Sequence, residues 1–291
     1  MRKVPLHEKG GIIHEKGAGY CTVRLRIPAG LITPDHMKGV VRIAKKYRAD
    51  LHLTTRQTIE LIHVLPQDLE GLVGDLSGNG TPLGAEKAEI VNITACPGTD
   101  RCRYAMIDSL SLAKTLDEKF FGREMPVKFR IAISSCPNSC VSERLNEIGI
   151  TGVVMPYRIP GTCTGCGTCV QYCREKAIAI KNGQIVLDNG KCFHCGMCIE
   201  SCPFHIIKAD PAAYHITIGG RRGRHPRVGY HVVTVKSPET VVNIVELVVR
   251  WVYRKAWSDS LLPDQLDILD FESFRKELVK SIPEEEIVTG Y

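Results

Sequence analysis

No apolar run in this sequence approaches the roughly 18–20 residues that a membrane span requires, so no span is expected. The opening stretch, MRKVPLHEKGGIIHEKG, has basic residues without a continuous apolar segment behind them. No signal peptide is evident, and a cytoplasmic location is expected. Charge of one sign is also lacking, since the net charge is only +6 and the basic residues are spread along the chain. The one dense basic run is GGRRGRHPR, residues 219–227, and neither aromatic interleaving nor a nucleic-acid motif accompanies it. A small anionic ligand therefore suits this run better than nucleic acid. No GxGxxG fingerprint is present: GLVGDLSGNG, residues 71–80, is glycine-rich with the wrong spacing. Nicotinamide, flavin or deazaflavin chemistry is thus left to another protein. The rest of the composition, 44% hydrophobic and 24% charged over 291 residues, is that of a globular protein with a substantial core in one or two domains.

What the chain has in excess is cysteine, and the count of 13 is odd. In a reducing compartment these read as metal ligands rather than a disulfide framework. Eight of them form Cys163-x2-Cys166-x2-Cys169-x3-Cys173 and Cys192-x2-Cys195-x2-Cys198-x3-Cys202-Pro203. Each quartet has the spacing of bacterial two-cluster ferredoxins, in which the fourth cysteine ligates the other cluster. Three thiolates on a tight loop grip one cubane, and the fourth, a turn further on, reaches the second. Cys163, Cys166 and Cys169 are accordingly paired with Cys202, and Cys192, Cys195 and Cys198 with Cys173. Two zinc sites or a disulfide cluster explain two complete runs in one short stretch far less well. Glycine and threonine in CTGCGTC and CFHCGMC leave the backbone free to aim amides at sulfur, and His194 is read as a bystander. Arg174 stands where a proline commonly follows the fourth cysteine, which leaves the ligands intact.

Four more cysteines precede that block as Cys96-x5-Cys102, in ACPGTDRC, and Cys136-x3-Cys140, in SCPNSC. Either pair alone is weak evidence; together they describe a further site. In this arrangement the sequence resembles the siroheme-dependent sulfite and nitrite reductases. By that resemblance the four thiolates hold a [4Fe–4S] cluster, and Cys140 also bridges to the siroheme iron. VRLRIPAGLITPDHMKGVVRIAKKY, LHLTTRQTIELIHV and HITIGGRRGRHPRVG extend the resemblance over most of the chain. An insert between the cluster motif and the glycine-rich return is the arrangement of dissimilatory and anaerobic sulfite reductase subunits. Cys21, in the alternating GYCTVRLRI, is left as a buried small hydrophobe.

Siroheme carries eight carboxylates and sulfite is a dianion, so both need cationic partners if buried. Arg24 with Arg26, and Lys128 with Arg130, fall in pairs at strand spacing and are the candidate substrate-contacting residues. Thr55, Arg56 and Gln57, together with Arg221, Arg222 and Arg224, are the candidates for holding the tetrapyrrole. Two positions depart from the family pattern: Val91 stands where an arginine is usual, and Ala132 where a third alternating lysine is usual.

The fold class expected is α+β. It comprises a ferredoxin-like half-domain over residues 1–80 and a siroheme/[4Fe–4S] domain in two parts, 81–157 and 211–291. An inserted two-cluster ferredoxin domain is expected over 158–210. Strands are expected over 20–27, 50–54, 58–64, 88–94 and 126–134, and helices over 34–47 and 103–120. A mostly helical tail is expected from Pro238 to Ile282, interrupted at Pro263. The resemblance implies six-electron reduction of sulfite to sulfide. Electrons would pass from a donor protein through the two ferredoxin-type clusters and the core cluster to the siroheme. Nitrite or another oxyanion, or a non-catalytic electron-transfer subunit, remain alternatives. The chain carries one copy of a core that assimilatory members carry twice, so a homodimer or higher oligomer is expected.

Overall fold

In the computed structural model, which describes residues 10–16, 19–161, 163–258 and 260–289, the chain divides into two units, each assembled from separated stretches of sequence. The first contains the residues up to Ala95, Leu110–Ala132 and Val248–Asp270. The second contains Cys96–Ser109, Ile133–Leu247 and the residues from Phe271 on.

The first unit is built on β1 (Ile12–His14), β2 (Cys21–Arg24), β3 (Asp50–Leu53) and β4 (Ile59–Val64), an antiparallel sheet of order β1-β2-β4-β3. Helix α1 (Pro34–Tyr47) has the predicted limits, because both of its ends are written into the sequence. The Thr33 hydroxyl accepts from the His36 amide at 3.2 Å, Pro34 occupies the first turn, and Arg48 closes the helix in the left-handed conformation. Its Val40, Ile43 and Ala44 pack with Leu72 and Leu76 of α2 (Leu69–Gly78) against Val23, Leu61 and Val64 of the sheet. A fully buried leucine of this kind contributes about 1.5–3 kcal/mol. Cys21 belongs to this core and is fully buried. The unit also holds β5 (Ile90–Ala95), the neighbouring β6 (Phe129–Ser134) up to Ala132, and most of α3 (Ser109–Phe120). The helix expected from residue 103 begins only at Ser109. Residues 103–108 instead form a turn after Cys102, in which Ala105 donates to the Cys102 carbonyl and Met106 to that of Ser135.

In the second unit the end of β6 is followed in the sheet by β7 (Ile148–Val153). The segment after β7 contains β8 (Pro156–Arg158), β9 (Ile178–Lys181), β10 (Gln184–Leu187) and β11 (Ile207–Ala209). Next come β12 (Ala213–Ile218) and β13 (Tyr230–Val235), which complete the order β13-β12-β7-β6. Because β12 pairs directly with β7, placing Ile216 opposite Ile150 and Ile218 opposite Ile148, everything between them is an excursion from one sheet. β8 pairs with β11 and closes the base of that excursion. Inside it, β9 and β10 form a hairpin, and two five-residue helices, α4 (Thr168–Tyr172) and α5 (Met197–Ser201), repeat the same local geometry. Each follows a glycine at positive φ, Gly167 at 78° and Gly196 at 69°, a conformation that side chains disfavour. The tail is helical as expected. α6 (Pro238–Lys255) runs from the second unit into the first, Pro263 sits in the first turn of α7 (Leu262–Gln265), and α8 (Phe271–Lys280) belongs to the second unit. Among the described residues no helix is long and apolar enough to cross a membrane.

Candidate functional site

Cys96, Cys102, Cys136 and Cys140 lie in the second unit and come together from two loops, one after β5 and one after β6. Burial pushes the Cys136 thiol above its ordinary value, and Cys102, Cys96 and Cys140 add to the shift as near neighbours. Burial also works against a charged Cys96, but its hydrogen bonds outweigh that and hold the thiol below its ordinary value. The Ser135 amide lies 3.1 Å from this sulfur and the Ser135 hydroxyl 3.3 Å, with the Ser109 hydroxyl at 3.5 Å. The Ser135 amide aimed at sulfur stabilises thiolate, the form that binds iron. Cys96 and Cys136 are buried, Cys102 is half-buried and Cys140 is exposed.

The loop carrying Cys136 and Cys140 is held from beneath by Glu143, a fully buried carboxylate that the sequence reading missed. Its oxygens accept from Ser134 at 2.6 Å, Ser139 at 2.7 Å and Thr151 at 2.8 Å. Ser139 and Ser142, on either side of Cys140, have φ of 55° and 52°, unusual for residues other than glycine. Three hydroxyl donors on one buried carboxylate are what keep this turn in place. The basic loop also reaches it, since Arg222 donates to the carbonyls of Val141 at 2.5 Å and Ser142 at 3.5 Å. Gly220 allows that approach, because a Cβ there would lie 2.3 Å from the Arg144 carbonyl oxygen. Arg221 is half-buried and pairs through its backbone with Arg227, while Arg222 and Arg224 are exposed.

Within the excursion, Cys198 has Cys192, Cys195 and Cys173 as neighbours, and Cys169 has Cys202 and Cys166. Burial pushes Cys198 up to about 12, with Cys192, Cys195 and Cys173 adding to the shift. Burial likewise raises Cys169, which has Cys202 and Cys166 as neighbours. Cys169, Cys198 and Cys202 share one apolar cluster, with the half-buried Cys163 and Cys173 packed against it. Amides point at sulfur here too, from His194 to Cys192 and from Ala177 to Cys173, each at 3.3 Å. Crowded buried thiols of this kind are suited to deprotonation by a bound cation. Among the described residues no group of three or more His, Cys, Asp or Glu side chains is placed to hold a single metal ion. A cavity of about 140 Å³ is lined by Cys173, Cys192, Cys195 and Cys198 and also by Cys136 of the core set. His194 is buried at φ 57° within this loop.

Of the cations nominated for anion binding, Arg24, Arg26, Arg56, Lys128 and Arg130 lie in the first unit, where Arg24, Arg26, Arg56 and Lys128 meet acids of the same chain. Arg24 is 7% exposed, and the register places it opposite Glu60, which it meets at 2.8 Å through Nε. His52, opposite Glu60 on the other side, approaches it at 3.1 Å. Glu86 lies against Arg24, Arg56 and Lys128. Burial, and then the charges of Arg24 and Arg130, lower Arg56 to about 10. Arg26 turns to a different acid, the buried Asp117, at 2.7 Å, and its guanidinium lies over Phe121. The sequence reading named the bases without their acids. Their only sequence signal was Glu60 at strand spacing in IELIHV. Gln57 holds the end of β5 instead of projecting outward: its amide donates to the Ala95 carbonyl at 2.5 Å and accepts from the Ala95 amide at 2.9 Å. Thr55 is exposed in the turn between β3 and β4. Val91 and Ala132 are buried in the core and supply no cation.

Residues 86–285 match the nitrite and sulphite reductase 4Fe-4S domain, and residues 12–78 match the nitrite/sulfite reductase ferredoxin-like half domain. A coenzyme F420-dependent sulfite reductase of Methanocaldococcus jannaschii is 31% identical over 239 residues, covering 82% of this chain. The chain spans only 38% of that relative's length. One of the anaerobic sulfite reductase subunits of Salmonella typhimurium is 29% identical, over 74% of this chain and 69% of its own. The crystal structure of dissimilatory sulfite reductase I superposes with a TM-score of 0.72 over 93% of this chain and 71% of that one, at 17% identity, a likeness of fold.

Proposed function

The chain belongs to the nitrite and sulphite reductase family, and on that premise we propose that it is a siroheme sulfite reductase of the dissimilatory or anaerobic type. The reaction is the six-electron reduction of sulfite to sulfide. The observation that carries this reading is the core thiol set: four cysteines brought together, with Cys140 alone exposed and the Arg222 loop packed beside it.

The residues present fit the groups this activity needs. Cys96, Cys102, Cys136 and Cys140 would hold one [4Fe–4S] cluster, with Cys140 also the ligand offered to siroheme. Cys163, Cys166, Cys169 and Cys202 would hold a second cluster, and Cys192, Cys195, Cys198 and Cys173 a third. Bound clusters and siroheme would supply the electrons and the iron at which sulfite is reduced. The protein's own side chains do the rest. Arg221, Arg222 and Arg224 supply donors for carboxylates beside Cys140. Arg24, Arg56, Lys128 and Arg130 form a cationic cluster that draws an oxyanion and steadies the charge on oxygens leaving as water. Glu143 holds the Cys140 turn against displacement. The cavity shared by Cys136 and the Cys173/Cys192/Cys195/Cys198 set supports reading that set as the one nearest the core cluster. The exposed Cys166 then marks the side that faces a donor protein.

Steady-state rates with sulfite and with nitrite on one anaerobic preparation test the assignment. Faster turnover of sulfite is expected, and a preference for nitrite would move the substrate. Internal pairing of the cations, with Val91 and Ala132 in the core, favours one second reading: a non-catalytic subunit that partners an active one. Purified protein without the absorption bands of an iron isobacteriochlorin would select it.

A further inference from the structure

We propose that Glu86 is a resident counter-anion of the cationic cluster in the first unit, holding the place of an anionic ligand and setting how tightly that ligand binds. The proposal rests on reading this cluster as an anion site. Four cations, Arg24, Arg56, Lys128 and Arg130, share the cluster with two carboxylates, Glu60 and Glu86, so cations outnumber carboxylates there.

The two acids are not equivalent. Glu60 is fixed by strand register between Arg24 and His52, and its side chain is only 10% exposed. Glu86 stands in the loop before β5, is 22% exposed, and engages three cations at once. Oε2 meets Arg24 and Arg56, and Oε1 meets Lys128 at 2.5 Å. Its backbone is anchored independently, because Glu89 Oε1 accepts from the amides of Glu86 at 2.9 Å and Lys87 at 3.1 Å. The carboxylate is thus on an anchored loop, at the more open side, occupying donors that a small oxyanion or a tetrapyrrole carboxylate would use in the same paired-oxygen geometry. Burial first, and then the charges of Arg24 and Arg130, lower Arg56, so Arg24 and Arg130 are close neighbours of this guanidinium. A ligand entering this cluster must displace Glu86 or share its cations.

Glu86→Gln keeps the shape and removes the charge. The test is calorimetric titration of the full chain with sodium sulfate, an unreactive dianion, and separately with uroporphyrin, a tetrapyrrole octacarboxylate. It is run on wild type, Glu86→Gln and Lys128→Ala at fixed ionic strength. A contact charge in a partly buried site is worth more than one decade, so Glu86→Gln should bind at least one probe about tenfold or more tightly. Lys128→Ala should bind it more weakly. A gain for sulfate assigns the place to a small oxyanion, and a gain for uroporphyrin alone assigns it to a tetrapyrrole carboxylate. Unchanged or weaker binding by Glu86→Gln, with Lys128→Ala still impaired, overturns the role of Glu86 and leaves the anion site standing. No change in either variant overturns both. If Glu86→Gln is too unstable for calorimetry, the rise of Tm with sulfate gives the same comparison. A steeper rise than wild type supports the proposal, and an equal or shallower one contradicts it.

Discussion

Cys140 is the one exposed thiol in a set whose other members are buried or half-buried, and its position on a turn with two left-handed serines is held by Glu143. On the proposed reading Cys140 would serve a second partner as well as the cluster, whereas Cys96, wrapped by Ser135 and Ser109, would serve the cluster alone. Cys140→Ser is therefore expected to abolish magnetic coupling between any retained siroheme and the cluster, and to lower sulfite turnover by orders of magnitude even with a strong chemical reductant. Cys96→Ser is expected to reduce cluster occupancy, with siroheme affected as a consequence. Spectra of both variants at matched cofactor occupancy make the comparison. At this scale the gathering of Cys96, Cys102, Cys136 and Cys140 was legible, because their spacing is itself the signal. Glu143 was not, because a single carboxylate three residues past a ligand has no pattern, and its meaning comes from Ser134 and Thr151 on neighbouring strands.

Between β2 and β4 the register sets Arg24 opposite Glu60, with His52 on the far side, so the polar face of this sheet carries a row of charge instead of open solvent. Burial opposes ionisation of Glu60, but its bonds from Arg24 and His52 outweigh that and leave the carboxyl below its ordinary value of 4.5. A depressed carboxyl contributes stability above its unfolded pKa and loses it as pH falls through the folded one. Glu60→Gln should thus be less stable than wild type at neutral pH, with a smaller further loss on acidification from pH 5 to 3. Denaturant titrations at each pH measure this, and parallel pH profiles would show that Glu60 has no such role. The element limits were readable wherever caps and alternation coincide, as in α1. They failed at residues 103–108, where helical spacing lost to backbone bonds with Cys102 and Ser135. The sequence alone sets Arg24 and Arg26 on one strand face as a pair for an anionic ligand. The counter-charges, however, come from Glu60, Glu86 and Asp117, and 117 is 91 residues away from Arg26.

At the scale of the whole molecule, the excursion between β7 and β12 is closed at its base by β8 and β11 and carries both cysteine quartets. Its place in the sequence was legible from the doubled motif, and the assembly of each unit from separated stretches was not, since long-range contacts leave no mark in composition. Cys166→Ser or Cys195→Ser should interrupt reduction by a protein donor while largely sparing siroheme binding. Loss of the siroheme spectrum in both would show that the excursion is needed to form the core. Twelve cysteines are proposed to hold three clusters, one of them coupled to siroheme. Analysis of iron, acid-labile sulfide and tetrapyrrole on anaerobically purified protein tests it most directly. The expected result is about thirteen iron atoms per chain, twelve in [4Fe–4S] clusters and one in siroheme. A count near eight without tetrapyrrole would contradict it, leaving clusters only in the excursion.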